Sequence, residues 1–374
     1  MERRKKLKES DQKTVKKAPP SPYLKTTYLE DMIFEAFATP FRKKWLSVGI
    51  LGFLVFPFIA TPFLLHIANL VAISCIGAMA LNLVIGTAGL LSLGHAGFML
   101  AGAFTSSLLY TQFEIPMMIA LIGAGVVGGI LGLIASLPSA RLKGFYLGIS
   151  TLALHYIVVY LVSEYQFNVG AGYGIDINNP FTGTGIFSGK QIWYFFLGMA
   201  VWVTGLFIGN LLRSKPGRAW IALRDREIAA QVMGIQVGLY KSLAFMVSSV
   251  ITAIAGALYA FYTNQVAVEE YSFVMTISYL AMIIVGGLGS ILGSLLGAII
   301  ITLTPHLLMY LFGAMGIPNS WMAYFNALES GIFGIMIIVF ILVEPLGVSI
   351  IWARMKTFFM LWPFKYKPLK ITKR

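Results

Sequence analysis

Residues 115–135 read IPMMIALIGAGVVGGILGLIA, a stretch without a charged side chain. A helix built from it would be apolar on every face, and its length matches the roughly 20 residues that span the hydrocarbon core of a bilayer. A strand of a membrane β-barrel would instead alternate apolar and polar residues over about ten positions. The stretch therefore predicts a transmembrane helix and argues against a barrel.

The rest of the chain has the same apolar character. Of its 374 residues, 58% are hydrophobic and only 11% are charged, and the mean hydropathy is +0.80. An ordinary soluble domain carries about a quarter charged residues. The composition therefore excludes a soluble globular fold and predicts an all-α, polytopic integral membrane protein.

Ten apolar windows are long enough to be transmembrane spans. They lie near residues 47–65, 67–86, 90–110, 115–136, 145–163, 192–212, 242–263, 273–291, 293–312 and 331–350. We expect about ten transmembrane helices. Eight spans with two re-entrant segments are the alternative.

The basic residues indicate the orientation of these spans. All of the 28 lysines and arginines except Lys190 fall in segments that an even number of spans places on one side. Because positive residues near span ends are retained in the cytoplasm, both termini are expected there. Topology thus accounts for the net charge of +13, and no nucleic-acid partner is expected.

The same pattern divides the chain into three parts. Residues 1–44 form a basic cytoplasmic tail that is expected to be disordered, since it has too little apolar area to fold alone. A transmembrane domain at 45–350 contains a long cytoplasmic loop at 213–241, and a second basic tail follows at 351–374. The lysines of the N-terminal tail either bind the anionic lipids of the inner leaflet or are solvated without a role, and the sequence leaves both open.

Few residues in the spans are suited to catalysis or ion coupling. The single cysteine, Cys75, has no disulfide partner, and the four histidines lack the spacing of a zinc site, so no metal is expected. Glu344 is the clearest intramembrane acid, whereas a proton- or sodium-coupled carrier usually needs a set of them. Residues 183–191 depart from the phosphate-binding loop pattern, so no ATP site is expected in this chain.

Glycine-rich stretches interrupt the helical pattern at residues 85–89 and 285–289, each time after an apolar span. Interruptions at matching places in two halves of a transporter point to unwound segments that line a site, although small residues also simply allow helices to pack closely. We expect the first stretch and its surroundings to line a translocation path. The candidate path residues are Asn82, Gly86, Gly89, Ser92, Gly94 and His95.

The loop at 213–241 contains a predicted helix at about 217–233. Pro216 suits an early helical position, and Gly234 suits a C-terminal stop. The helix is amphipathic, so it either docks onto another protein through its charged and small residues or lies on the anionic inner leaflet. The residues alone leave both interpretations open.

Several motifs together carry a family resemblance. Residues 224–235 (RDREIAAQVMGI), 240–245 (YKSLAF), 82–96 (NLVIGTAGLLSLGHA) and 284–290 (IVGGLGS) resemble the permease subunits of branched-chain amino acid ABC importers, the LivM type. The resemblance covers roughly 45–350. In that family the loop motif is a coupling helix that sits in a groove of an ATPase. The positions that match it are Glu227, Ala229, Ala230 and Gly234, and the expected ATPase contacts are these four together with Arg224 and Asp225.

The resemblance implies a non-enzymatic transport subunit of the cell inner membrane. Its expected partners are a homologous LivH-like permease, two cytoplasmic ABC ATPase subunits and an extracytoplasmic substrate-binding protein. It implies no cofactor in this chain, because ATP and magnesium would bind the ATPases. The implied solutes are branched-chain or other hydrophobic amino acids, with urea, short amides or aromatic carboxylates as alternatives within the class.

Two other classes remain as alternatives. An ATP-independent carrier or channel would use the loop helix only to lie on the membrane. An intramembrane enzyme would rely on Ser92 and His95, which share a face if one helix contains both. No acid is available to orient the imidazole as a catalytic triad requires.

Overall fold

The computed structural model describes residues 40–140, 142, 144–169, 174–181 and 188–314, and isolated positions between 331 and 355. Residues 1–39 of the predicted N-terminal tail lie outside the described residues. So does the predicted C-terminal tail at 351–374, except at position 355. The predicted tenth span at 331–350 is described only at scattered positions, and Glu344 is not among them. The described part of the first compact unit is a single helix, α1 (Pro40–Ile59).

The second unit contains ten further α-helices and one short pair of strands within the described residues. The α-helices are α2 (Pro62–Asn82), α3 (His95–Thr111), α4 (Met117–Ser136), α5 (Phe145–Val169), α6 (Gly189–Arg213), α7 (Lys215–Asp225), α8 (Glu227–Val232), α9 (Val237–Thr263), α10 (Phe273–Gly286) and α11 (Ile291–Ala314). A π-helical turn covers Leu83–Thr87, and 3₁₀ turns cover Pro138–Ala140 and Val268–Tyr271. The strands β1 (Ile175–Asp176) and β2 (Gln265–Val266) pair antiparallel.

The prediction of an all-α, multi-pass membrane protein is confirmed. Six described helices are long and apolar enough to cross a bilayer, and α10 is a shorter apolar helix. The exact count of ten spans and the orientation of the termini stay predictions. The boundary between the first two spans lies at residues 60–61 rather than near 66, because Thr61 caps α2 by accepting the amide of Leu64 at 3.4 Å and Pro62 begins the helix.

Glycines allow α9 to approach its neighbours at backbone distance. A Cβ on Gly102 of α3 would collide with the backbone of Ala253, and one on Gly256 of α9 would collide with that of Met99. Gly128 of α4 faces α9 in the same way. These glycines therefore form packing faces, as expected for small residues at membrane helix interfaces.

Gly289 and Ser92 both lie outside the helices that follow them. Gly289 does not share a helical stripe with Gly293 and Gly297, since α11 begins only at Ile291. Gly293 and Gly297 do pack directly against the backbone of α10. Similarly, Ser92 lies in an irregular segment before α3, so that Ser92 and His95 are not on one helix, and the intramembrane-enzyme alternative loses its premise.

The β1–β2 pair lies next to an aromatic cluster at the ends of α2, α6 and α9. Trp193 is 1% exposed and donates its indole N–H to the Asn179 side chain at 3.3 Å. Its ring lies 5.7 Å from that of Tyr262, whose hydroxyl is 2.7 Å from Nδ1 of His66. These contacts fix the loop ends at the side of the protein that the charge pattern predicts to be extracytoplasmic.

Candidate functional site

The predicted loop helix is present but is divided in two. Instead of one helix at about 217–233, α7 ends at Asp225 and α8 begins at Glu227, because Arg226 between them is extended, with φ −153° and ψ 100°. Gly234 follows α8 with φ +86°, a conformation that favours glycine. We refer to α7 and α8 together as the loop helices.

The first loop helix, α7, is anchored through its buried face. Trp220 is fully buried, and its indole N–H donates to the backbone carbonyl of Tyr240 at 2.7 Å. Leu223 is also buried, and Gly217 lies against the backbone at the end of α6. The helix is therefore attached to both α6 and the start of α9.

The second loop helix, α8, is attached by an ion pair. The ammonium group of Lys241 lies 2.9 Å from Oε1 of Glu227 and donates to the carbonyl of Ser139 at 3.3 Å. Only 4% of the Lys241 side chain is exposed, against 25% for Glu227. Glu227, predicted from the sequence as a partner-contact residue, thus joins α8 to α9, and Lys241 in turn binds the 3₁₀ turn after α4.

The opposite face of α8 is apolar and exposed. Ile228, Val232 and Met233 are 74%, 83% and 84% exposed, and the small side chain of Ala229 is exposed beside them. Ala230, in contrast, is 3% exposed and faces the rest of the chain. Exposed apolar side chains gathered on one short helix are typical of a protein or membrane contact. We call these four residues the α8 apolar face.

The structure brings the two predicted glycine interruptions into contact. In the first, α2 passes into the π-helical turn at Leu83–Thr87, followed by Gly89 with φ +70°. In the second, α10 ends at Gly286, and Gly287 and Gly289 have φ of +119° and +81°. We call these segments the first and second glycine breaks. No Cβ fits on Gly86, because the backbone nitrogen of Gly289 is too close.

Asn82 bridges the two breaks through its side-chain amide. Its Oδ1 accepts the backbone amide of Gly289 at 2.8 Å. Its Nδ2 donates to the carbonyl of Ser290 at 2.9 Å and to the hydroxyl of Ser294 at 2.6 Å. The cavity beside Asn82 has about 10 Å³, room for about one water molecule. The junction between the breaks is therefore closed in this conformation.

Arg224 joins α7 to this junction. Its guanidinium Nη1 donates to the backbone carbonyl of Gly86. A Cβ on Gly89 would lie 3.1 Å from Cγ of Arg224, and one on Gly289 would lie 2.8 Å from its Nη1. A residue predicted as a partner contact thus contacts both glycine breaks of its own chain.

The other predicted path residues lie in helix packing seams. Ser92 and His95 are 4% and 1% exposed, and the His95 ring lies 4.6 Å from that of Tyr279. Gly94 is packed against the backbone of Thr151, whose hydroxyl accepts the amide of Leu93 at 2.9 Å. Asn82, Gly86 and Gly89 are therefore at the junction of the breaks, whereas Ser92, Gly94 and His95 follow it along the chain into the seam.

Comparison with known proteins gives one consistent family. Residues 63–341 match the family described as branched-chain amino acid transport system / permease component. The chain is 30% identical over 292 residues to the high-affinity branched-chain amino acid transport system permease protein LivM of Escherichia coli. The aligned region covers 71% of this chain and 69% of that protein.

Two relatives come from Methanocaldococcus jannaschii. The probable branched-chain amino acid transport permease protein LivM is 30% identical over 62% of this chain and 67% of its own length. The corresponding LivH protein is 26% identical over 75% of this chain and 89% of its own length. Similarity to both LivM and LivH proteins indicates that these two kinds of permease are themselves related.

Proposed function

Because the chain belongs to the family of branched-chain amino acid transport system permease components, we propose that it is the membrane-spanning subunit of an ATP-driven importer for branched-chain or other hydrophobic amino acids. In this proposal it forms the translocation path together with a homologous, LivH-like permease. An extracytoplasmic binding protein delivers the solute. The importer lies in the cell inner membrane with both termini of this chain in the cytoplasm.

The loop helices are the proposed attachment point for the ATPase subunits. The observation that carries this assignment is the α8 apolar face, which stands exposed on a helix that is itself held by the pair Glu227–Lys241. A helix that is anchored in this way and exposes apolar side chains can transmit the movement of a bound partner, because it moves together with the segments that anchor it. Two cytoplasmic ATPases would bind ATP and magnesium, and this chain would contribute no nucleotide site.

The glycine breaks are the proposed part of the path that opens. Unwound segments lack the full hydrogen-bond ladder of a helix, and within a membrane they are tolerated only inside protein or beside a water-filled cavity. The side chain of Asn82 satisfies the free backbone groups of Gly289 and Ser290 in the closed junction. Opening the junction would expose these polar groups to a passing solute.

Co-purification from the native host is the first test of this proposal. The chain is extracted in mild detergent, and the co-eluting proteins are identified by mass spectrometry. We expect a second permease and an ABC ATPase, and reconstitution of that assembly with its binding protein should give ATP-dependent uptake of radiolabelled leucine. A chain that elutes alone and transports leucine in liposomes without ATP would contradict the proposal.

Substitutions on the α8 apolar face test the attachment point. Val232→Glu places a charge at the proposed contact, where 83% of the valine side chain is exposed in the single chain. We expect loss of the ATPase from the purified assembly. Leu239→Glu is the matched control, because Leu239 is also exposed, at 51%, but lies outside α8 at the start of α9. Equal ATPase recovery with both variants would refute the assignment.

A further inference from the structure

We infer that Arg224 is a positioning residue that transmits movement of the loop helices to the two glycine breaks. This inference rests on the proposed function, since it assumes that an ATPase moves the loop helices. It adds to that function the physical route by which such a movement reaches the path. The route consists of the Arg224 guanidinium, the Gly86 carbonyl and the Asn82 bridge to Gly289.

The position of Arg224 suits it to this role. It is in the last turn of α7, two residues before the extended joint at Arg226. A displacement of α8 therefore acts on the end of α7 that carries the guanidinium. The other anchors of the loop helices, Trp220 and Glu227, bind the start of α9 rather than the breaks. Arg224 thus connects the loop helices to segments that those anchors do not reach.

The glycine breaks are suited to respond. Gly89 and Gly289 have positive φ, which only glycine adopts without a steric cost, so that both breaks can change backbone conformation more easily than a packed helix. The arginine occupies the space that their missing side chains leave. A displacement of the whole Arg224 residue by one hydrogen-bond length therefore removes the donor to the Gly86 carbonyl and the packing of both glycines together.

The chemistry of the side chain supports the same conclusion. A guanidinium stays charged at every physiological pH and offers five N–H donors in a fixed plane. It can therefore hold the Gly86 carbonyl in one position and pass to another acceptor without losing its charge. Arg218, on the same helix, bonds instead to the carbonyl of Arg213 at 3.1 Å, a contact with the preceding turn only. Arg218 is therefore the matched control for substitutions at Arg224.

The test measures whether the break follows the loop helix. The single cysteine is first replaced by Cys75→Ala, and spin labels are then attached to pairs of cysteines introduced at exposed positions. One pair joins Ile221 of α7 to Leu137 after α4, and the other joins Leu288 of the second break to Leu137. Both distances are measured in the assembled complex, first without nucleotide and then with ATP and vanadate.

In the unsubstituted assembly we expect nucleotide to change both distances. In Arg224→Gln the Ile221 distance should still change, whereas the change at Leu288 should be lost. Leucine uptake per ATP hydrolysed should fall at least about fivefold, the lower end of typical coupling between sites. Arg218→Gln should behave as the unsubstituted protein, and Arg224→Lys, which keeps the charge and a donor, should restore part of the response.

The outcomes distinguish failure of the Arg224 inference from failure of the proposed function. If both distances change in Arg224→Gln as they do without the substitution, the inference is overturned and the proposed function stands. If neither distance responds in the unsubstituted assembly, the proposed function fails. Should Arg224→Gln not assemble, Gly289→Ala tests the same contact from the other side, since its new methyl group would crowd the guanidinium. An unchanged Leu288 response in that variant would also overturn the inference.

Discussion

Replacing Glu227 by glutamine tests the ion pair that holds α8 in place. The change removes the negative charge that lies 2.9 Å from the Lys241 ammonium group and leaves a lysine side chain only 4% exposed beside the Ser139 carbonyl. Breaking a fully buried ion pair costs about 3–5 kcal/mol, and breaking an exposed one costs about 0.2–1 kcal/mol. With Glu227 25% exposed, we expect an intermediate loss of about 1–3 kcal/mol in the free energy of unfolding.

The assay is unfolding by SDS titration in mixed micelles, followed by tryptophan fluorescence. The control is the double variant Glu227→Gln with Lys241→Met. It should recover most of the lost stability, because the uncompensated charge is gone and an apolar side chain fills the same space. Independent residues would instead give additive losses. Additivity within about 0.5 kcal/mol would refute the view that this pair anchors α8.

Three further changes test other contacts. Gly289→Ala and Gly234→Ala both place a side chain at positive φ, but only at 289 does the new methyl group meet other atoms, so we expect unfolding titrations to show a loss larger by about 1–3 kcal/mol there. Trp220→Phe removes the donor to the Tyr240 carbonyl and should cost about 1–3 kcal/mol in the same assay, unless that carbonyl finds another donor. Burial and the neighbouring Glu269 raise the pKa of Glu270, so folding favours its protonated form. Stability should therefore fall as the pH rises from the ordinary glutamate pKa through the raised one. In Glu270→Gln, melting curves recorded across this pH range should show a smaller change of melting temperature with pH.

The fold class was predictable because it depends on local composition. A stretch such as 115–135 must be a membrane helix whatever its neighbours are, since its length and its apolar faces leave no other stable state. Helix ends were less predictable. The boundary at residue 61 depends on a threonine cap, and the start of α3 at His95 depends on tertiary contacts of the preceding irregular segment. The spacing of apolar residues along the sequence does not reveal either kind of contact.

The site was predictable as a set of segments but not as a set of contacts. Both glycine interruptions and the loop helix stand out in the sequence, yet Arg224 and Gly86 are 138 residues apart, and a charge on a polar helix normally indicates a solvated face. The role of Lys241 was missed for the same reason. A lysine at the edge of an apolar span is usually a topology signal, whereas here it is the buried partner of Glu227.

The position of the polar side chains follows from the breaks themselves. An unwound segment next to a membrane leaves backbone N–H and carbonyl groups without partners, and each such group must be satisfied by the protein. Asn82 satisfies Gly289 and Ser290, and Arg224 satisfies Gly86. The same hydrogen bonds that make the breaks stable therefore determine what must be exchanged when they rearrange. For this reason a substitution at Arg224 should alter coupling before it abolishes folding, whereas one at Glu227 should show first in stability.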